Sequence, residues 1–315
     1  MSKSLSLKAP AKINFYLQIT GNRPDGYHDL VMIMQSVDLS DRVDLRQTAS
    51  EAIVVHCDHP QVPQDRTNLA DRAAHLMQQR FPSVGGIEIK IHKNIPIAAG
   101  LAGGSTDAAA VLVGIDRLWQ LGLTQPELRE LAAQLGSDIP FCISGGTALA
   151  TGRGEVITPV ADLADVAIVI CKPKDIAIST AWAYQTFRAA GLLAQGKQLQ
   201  PSHDRSSEML AVLEAAKDKH NQALIEVATQ LGQLLYNDLE RVVLPAHPAI
   251  VQLKQQLQAQ APLGVLMSGS GATVFAIARD LEHARQIAKS VVAGLPNIEA
   301  WVTKTIGNGI QDFLD

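Results

Sequence analysis

The pattern of apolar and polar residues in the first half of the chain predicts strands separated by a few helices. Apolar residues alternate with polar ones from residue 13 to residue 19, which predicts a half-buried strand. Lys12 and Asn14 fall together on its polar face. Further patterns predict strands at residues 30–37, 42–45, 53–56 and 87–91, and helices at residues 68–81, 108–121 and 124–136.

The second half of the chain has a different order of elements. Its patterns predict strands at residues 166–171, 264–267, 272–278 and 300–306, and helical regions at residues 180–244 and 281–294. Without the extra helices this order is βαββαβ, which is typical of a ferredoxin-like unit with its own sheet and core. We therefore predict an α+β protein of two domains, residues 1–163 and 164–315. The polar stretch 196–207 is expected to be an exposed loop.

Composition restricts the class of protein. The 315 residues include 27 lysines and arginines against 31 aspartates and glutamates, a formal charge of −4, and 47% are hydrophobic. This share suffices for buried cores, and the mild acidity argues against a nucleic-acid backbone as partner. No run approaches the ~20 apolar residues of a membrane span, and the N-terminus has no signal or transit pattern. Since Cys57, Cys142 and Cys171 also favour reduced core thiols, we expect a cytoplasmic protein without an obligate protein partner.

A glycine-rich loop between a predicted strand and a predicted helix is the strongest chemical signal. Residues 100–107 read Gly-Leu-Ala-Gly-Gly-Ser-Thr-Asp. Small residues at a helix N-terminus let backbone N–H groups converge on an anion, so the loop is predicted to bind phosphate. Ser105 and Thr106 could cap the helix or reach a phosphate or a Mg²⁺ ion. The loop lacks both the Walker A lysine and the GxGxxG spacing, so another nucleotide fold is indicated.

Two glycine-rich motifs resemble those of the galactokinase, homoserine kinase, mevalonate kinase and phosphomevalonate kinase (GHMP) superfamily. The first covers residues 96–107 and the second covers residues 267–275. Further segments resemble the branch that phosphorylates a cytidine-diphosphate-linked methylerythritol in the non-mevalonate isoprenoid pathway. They follow in family order at residues 10–14, 23–28, 136–141 and 237–240.

The resemblance implies the two-domain α+β fold of GHMP kinases. Its N-terminal domain would be like domain 2 of a small-subunit ribosomal protein, its C-terminal domain would be ferredoxin-like, and the active site would lie in the cleft between them. The N-terminal domain would also contain a left-handed βαβ crossover, which the usual handedness of such units would exclude.

The resemblance also assigns roles to particular residues. The catalytic pair falls on Lys12 and Asp138, and adenine is expected near Asn68 and Leu69. Ala102 stands where many members have glycine, so phosphate binding is expected to survive unless residue 102 needs a positive φ. The substrate site comprises Asn14, Tyr27, His28, Thr180 and Tyr184, and the ATP-binding loop comprises Pro96, Ile97, Ala98, Ala99, Gly100, Leu101, Ala102, Gly103, Gly104, Ser105 and Thr106.

The implied reaction is phosphoryl transfer from ATP, with Mg²⁺, to the 2-hydroxyl of the methylerythritol moiety. Asp138 would accept the hydroxyl proton, and Lys12 would stabilise that carboxylate and the transferring group. Two alternatives stay open. A GHMP kinase for mevalonate or homoserine would share the glycine-rich loops but would not need Tyr27 and His28. A non-catalytic nucleotide-binding paralogue should have lost Lys12 or Asp138, and both are present.

Overall fold

The computed structural model describes residues 3–193, 205–217 and 222–313, which form two β-sheets with helices packed on them. The strands are β1 (Ser4–Asn22), β2 (His28–Gln47), β3 (Ile53–Cys57), β4 (Ile87–His92), β5 (Thr147–Thr151), β6 (Val156–Pro159), β7 (Ala167–Pro173), β8 (Tyr236–Asn237), β9 (Gly264–Met267), β10 (Val274–Ile277), β11 (Ile298–Lys304) and β12 (Gln311–Asp312). The helices are α1 (Leu69–Arg80), α2 (Gly103–Trp119), α3 (Gln125–Ala133), α4 (Ile139–Ser144), α5 (Thr180–Ala189), α6 (Arg205–Ala216), α7 (Gln222–Leu234), α8 (Glu240–Ala246), α9 (Pro248–Gln258) and α10 (Leu281–Gly294).

A long antiparallel hairpin of β1 and β2 forms the centre of the first sheet. The sheet order is β12-β1-β2-β4-β3, while β5 pairs with β2, β6 with β5 and β8 with β1. Helix α2 packs on β1 and β2, and its residues from Thr106 to Ile115 are all buried. Strands β3 and β4 are parallel and are connected through α1, which gives a βαβ unit. The left-handed crossover implied for this domain stays a prediction.

The second sheet has the order β11-β7-β10-β9, with antiparallel neighbours. In chain order these are the fourth, first, third and second strands of the unit, so the predicted ferredoxin-like arrangement is confirmed. Strands β8 and β12, which come from the second half of the chain, pair with β1 of the first sheet. The division at residues 163 and 164 stays a prediction. None of the described helices is both long enough and apolar enough to cross a membrane.

Helices α1 and α3 begin within one residue of their predicted starts. The Asn68 side chain accepts from the backbone N–H of Ala70 at the start of α1, and Thr124 and Glu127 form a capping box at the start of α3. Helix α2 begins earlier than predicted, because the glycine-rich loop itself forms its first turn.

Several predicted elements were wrong. The helical region 180–244 is divided among α5, α6, α7 and α8, and it contains β8. Strand β8 is only two residues long and is held by pairing with β1, so no local pattern marks it. Of the predicted loop 196–207, residues 196–204 lie outside the described residues and residues 205–207 begin α6. Strand β2 is continuous where two strands were predicted, and α4, α9, β5, β6 and β12 were not predicted.

The strand that carries Lys12 is not half-buried. Lys12 and Asn14 are both buried, because the glycine-rich loops cover the polar face of β1. The Lys12 N–H donates to the carbonyl oxygen of Leu101 at 3.1 Å. Among the cysteines, Cys142 and Cys171 are buried as predicted, but Cys57 is partly exposed because it ends the edge strand β3.

A buried charge cluster joins β2 to both ends of the first glycine-rich loop. The ammonium of Lys93 contacts the carboxylate of Asp41 and lies 2.9 Å from Oδ2 of Asp107 in the first turns of α2. Asp41 Oδ1 also accepts from the backbone N–H groups of Asn94 and Ile95. Burial is the main cause that raises the pKa of Asp107, and the charge of Lys93 opposes it only in part.

We expect Asp107→Asn to change the pH dependence of stability. Above the ordinary carboxyl pKa of about 4, the folded chain holds a proton on Asp107 that the unfolded chain has lost. The free energy of unfolding therefore falls as pH rises towards the folded-state pKa. The Asn variant lacks this titration, so urea unfolding should show it gaining stability relative to wild type between mildly acidic and neutral pH. Parallel pH profiles would contradict this account of the cluster.

Candidate active site

One cavity of about 950 Å³ lies where β1, the two glycine-rich loops and α5 meet. It contains every residue that the sequence predicted for the site except Thr106. The predicted residues that line it are Lys12, Asn14, Tyr27, His28, residues 96–105, Asp138, Thr180 and Tyr184. The fold thus brings together segments from Lys12 to Ser270, which lie in both halves of the chain.

Lys12 and Asp138 form a pair in the wall of this cavity. Lys12 Nζ donates to Asn14 Oδ1 at 2.7 Å and lies 3.7 Å from Asp138 Oδ2. The ammonium side chain is 5% exposed and the carboxylate side chain is 34% exposed. Asp138 precedes α4, yet its carboxylate makes no hydrogen bond that caps this helix. The carboxylate is therefore not used as a helix cap. It faces the cavity, where a ligand hydroxyl could reach it.

The first glycine-rich loop leads into the N-terminus of α2. The amides of Gly103, Gly104 and Ser105 have no acceptor within the helix, since the first helical bond here runs from the Thr106 N–H to the Ala102 carbonyl. These N–H groups and the helix dipole make the end of α2 suitable for a phosphate group.

The two adjacent hydroxyl residues of this turn face different surroundings. Ser105 lines the cavity, whereas Thr106 is fully buried and does not line it. Consecutive side chains on a helix are about 100° apart, so Ser105 and Thr106 point in different directions. Ser105 is therefore the better placed of the two hydroxyls to reach a phosphate or Mg²⁺ in the cavity, and the assignment of Thr106 to the ATP-binding loop stays a prediction.

Residue 102 does adopt a positive φ. Ala102 has φ 59° and ψ 30°, which is the left-handed conformation. This conformation costs a residue with a Cβ atom about 1–2 kcal/mol. Residue 102 therefore has the positive φ at which alanine was expected to affect phosphate binding. The loop keeps this left-handed conformation although Ala102 carries a Cβ atom.

The second glycine-rich loop, residues 268–271 between β9 and β10, packs directly on the first. A Cβ atom on Gly100 would lie 2.3 Å from the carbonyl oxygen of Ser268, so only glycine fits there. The Ser268 hydroxyl donates to the Gly100 carbonyl oxygen at 3.1 Å. A Cβ atom on Gly269 would lie 3.4 Å from Lys12 Nζ. Both loops therefore lie against Lys12.

Aromatic side chains line the opposite end of the cavity. The rings of His28 and Tyr184 have centroids 5.3 Å apart, and Tyr27 is 53% exposed with the Arg153 guanidinium over its ring. Within the described residues, His28 Nε2 is buried without a hydrogen-bond partner. Burial, and then the charge of Arg188, lower the pKa of His28, so its ring is neutral at pH 7. These groups can hold a planar, polar ring.

Two arginines at this end were missed by sequence analysis. Arg153 and Arg188 both line the cavity, and Arg188 also donates to the Tyr27 carbonyl oxygen at 2.8 Å. The sequence contains only a weak signal that these two arginines belong to the site. Arg153 lies between Gly152 and Gly154 in a turn joining two strands that were not predicted.

The side chain of Asn68 is already engaged. Its Nδ2 donates to the Pro63 carbonyl oxygen at 2.6 Å, and its Oδ1 accepts from the Ala70 N–H at 2.8 Å. Asn68 and Leu69 line the cavity as expected. These two bonds leave one Nδ2 hydrogen and one Oδ1 lone pair of Asn68, and the adenine site expected near Asn68 and Leu69 stays a prediction.

Known proteins resemble this chain along almost its whole length. The family model described as GHMP kinases N terminal domain matches residues 68–146, and the one described as GHMP kinases C terminal matches residues 209–297. A curated 4-diphosphocytidyl-2-C-methyl-D-erythritol kinase from Trichormus variabilis is 50% identical, with 98% of each chain covered. One from Gloeobacter violaceus is 51% identical, with 98% of this chain and 96% of the relative covered.

Solved structures give the same result for the fold. A crystal structure of 4-(cytidine 5'-diphospho)-2C-methyl-D-erythritol kinase matches with a TM-score of 0.74 and 30% identity, covering 98% of this chain and 100% of that chain. Homoserine kinase from Cytophaga hutchinsonii matches with a TM-score of 0.72 at 19% identity, covering 98% and 97% of the two chains, which supports the fold alone. The predicted two-domain GHMP fold is confirmed, and the chain belongs to the GHMP kinase family of small-molecule kinases.

Proposed function

We propose that this chain uses ATP to phosphorylate the 2-hydroxyl of 4-diphosphocytidyl-2-C-methyl-D-erythritol, a step of the non-mevalonate isoprenoid pathway. The observation that carries the proposal is the single cavity in which the phosphate loop, the Lys12–Asp138 pair and the Tyr27, His28 and Tyr184 side chains meet. The names of relatives at about 50% identity support the same substrate. The cytoplasmic location expected from the sequence stays a prediction.

Phosphoryl transfer requires positioning and charge stabilisation more than covalent chemistry. In the proposed reaction the triphosphate lies at the N-terminus of α2, along residues 96–105. Asp138 accepts the proton of the attacking hydroxyl, because its carboxylate is partly exposed in the cavity. Lys12 stabilises that carboxylate and the charge on the transferring group, from a position fixed by Asn14.

A Mg²⁺ ion fits the phosphate end of the cavity. The described residues contain no group of three or more His, Cys, Asp or Glu side chains that could hold a metal by themselves. Mg²⁺ in nucleotide sites is usually bound by few protein ligands together with phosphate oxygens and water. Ser105 is the hydroxyl of the loop that lines the cavity, so it is the residue we assign to the ion. The ion would neutralise phosphate charge.

The nucleoside end of the cavity suits the cytidine diphosphate part of the substrate. Tyr27 and Tyr184 would flank the cytosine, and the neutral ring of His28, which lines the same wall, would bind its edge. Thr180 lies at the same wall, with its hydroxyl 3.0 Å from that of Ser270. Arg153 supplies positive charge for the diphosphate.

The residues of the cavity also distinguish the proposed cytidyl-substrate kinase from the two alternatives, a mevalonate or homoserine kinase and a non-catalytic paralogue. Mevalonate and homoserine have no base to place against Tyr27 and His28. A nucleotide-binding paralogue without activity would have no need of a buried lysine beside a partly exposed carboxylate, and Lys12 and Asp138 retain that geometry.

We expect Tyr27→Ala to weaken binding of the cytidyl substrate only. Stacking on a base contributes ~1–3 kcal/mol, so KM for this substrate should rise about 5- to 150-fold while KM for ATP stays the same. Steady-state kinetics with each substrate varied in turn measure this. Trp182→Ala is the matched control, since Trp182 is an exposed aromatic residue of α5 that does not line the cavity. Equal shifts in both Michaelis constants would show that the nucleoside site is misplaced.

We expect Lys12 and Asp138 to act as one unit. Asp138→Asn removes the base and should lower kcat on the order of 10²–10⁴-fold with little change in KM. Lys12→Met should lose a comparable factor, because each group depends on its partner. The double variant should therefore be far less impaired than the product of the two single effects. Strictly multiplicative effects on kcat would show that the residues act separately.

A further inference from the structure

The segment 237–240, Asn-Asp-Leu-Glu, has no role in the proposed reaction, although it resembles the family pattern. Asn237 lies in β8 beside β1 and is 4% exposed. It does not line the cavity. A buried carboxamide outside the cavity must have its hydrogen bonds satisfied within the protein, so its partners indicate what it holds in place.

The carboxamide of Asn237 is fully engaged at the second glycine-rich loop. Its Nδ2 donates to the carbonyl oxygens of Met267 and Gly269, each at 2.8 Å. Its Oδ1 accepts from the Leu239 N–H at 2.9 Å. The two carbonyl groups lie on either side of Ser268, so one side chain fixes the path of the backbone into the loop.

Glu240 binds the backbone of Met267 as well. Its Oε1 accepts from the Met267 N–H at 3.0 Å, and its carboxylate is paired with Lys254 at 2.6 Å. Two residues of this segment therefore bind the backbone at the end of β9, where the loop begins.

The part of the loop that Asn237 holds is the part nearest the reacting groups. Gly269 has φ 55°, and a Cβ atom there would lie 3.4 Å from Lys12 Nζ and 3.5 Å from Asn14 Oδ1. The preceding residue, Ser268, donates to the carbonyl oxygen of Gly100 in the phosphate loop. A displacement of this backbone would therefore reach both the catalytic lysine and the phosphate site.

We infer that Asn237 is a positioning residue for catalysis: it holds residues 268–271 against Lys12 and the phosphate loop, so that the Lys12 ammonium keeps its place beside Asp138. Asn237 acts through the loop backbone and does not touch either substrate. The inference depends on the proposed function only in that one of its tests measures the rate of the proposed reaction.

Asn237→Asp tests this inference with almost no change in side-chain shape. The carboxylate loses both N–H donors and places an oxygen against the carbonyl oxygens of Met267 and Gly269, so the loop backbone must move. Because a misplacement of about 1 Å can cost about 10²-fold in rate, we expect kcat to fall by that order with little change in either KM. Hydrogen exchange of the peptide 265–272 should become faster.

Asp238→Asn is the matched control. Asp238 lies in the same segment and is equally buried, but it accepts from the Ile19 N–H and the Tyr236 hydroxyl rather than from the glycine-rich loop. It should lose stability while keeping kcat and the exchange rate of residues 265–272. An equal loss of kcat in both variants would show a general structural effect and overturn the inference, as would an Asn237→Asp enzyme with wild-type kcat.

Ser268→Ala keeps the inference testable if Asn237→Asp does not fold. It removes the hydrogen bond between the two glycine-rich loops, and a fall in kcat at unchanged KM is expected. Unchanged kcat in this variant would overturn the inference. Failure of the proposed function has a different signature, because the wild-type protein would then show no turnover of the cytidyl substrate.

Discussion

The close approach of two glycine-rich loops is the contact on which the rest of the site depends. The Gly100 backbone lies so near the Ser268 carbonyl that no Cβ atom fits between them. The first loop begins α2 and binds the backbone of Lys12 through Leu101, and the second loop lies beside the Lys12 ammonium. This one contact therefore joins the N-terminus of α2, Lys12 and the ferredoxin-like half of the chain.

Two buried lysines, Lys93 and Lys12, differ in how far neighbouring groups compensate their charge. Lys93 is held between the carboxylate of Asp41 and the carboxyl group of Asp107, so its charge is compensated within the protein. Lys12 is equally buried, but it faces an amide oxygen at 2.7 Å and a single, partly exposed carboxylate at 3.7 Å. Because its compensation is incomplete, Lys12 can respond to charge on a bound phosphate, whereas Lys93 serves to fix the loop.

Local signals in the sequence predicted the fold well where a short segment determines its own structure. The starts of α1 and α3 and the ferredoxin-like order of the second sheet are confirmed. The two-residue strand β8 depends entirely on pairing with β1, so no local pattern could predict it. The burial of Lys12 likewise comes from loops that are distant in sequence.

Within the site, too, some features are set by a short segment and others by contacts between distant segments. The glycine-rich motif indicated which residues line the cavity, but only the helical geometry of α2 separates Ser105 from the buried Thr106. Arg153 and Arg188 reach the cavity from segments that carry no motif, so their contribution required the tertiary structure.

ATP consumption by the purified chain tests the central claim most directly. The protein would be assayed with 4-diphosphocytidyl-2-C-methyl-D-erythritol, mevalonate and homoserine as separate acceptors. A cavity with Tyr27, His28 and Tyr184 at one end and the Lys12–Asp138 pair beside the phosphate loop predicts turnover of the cytidyl acceptor alone. Turnover of mevalonate or homoserine without turnover of the cytidyl acceptor would contradict the assignment.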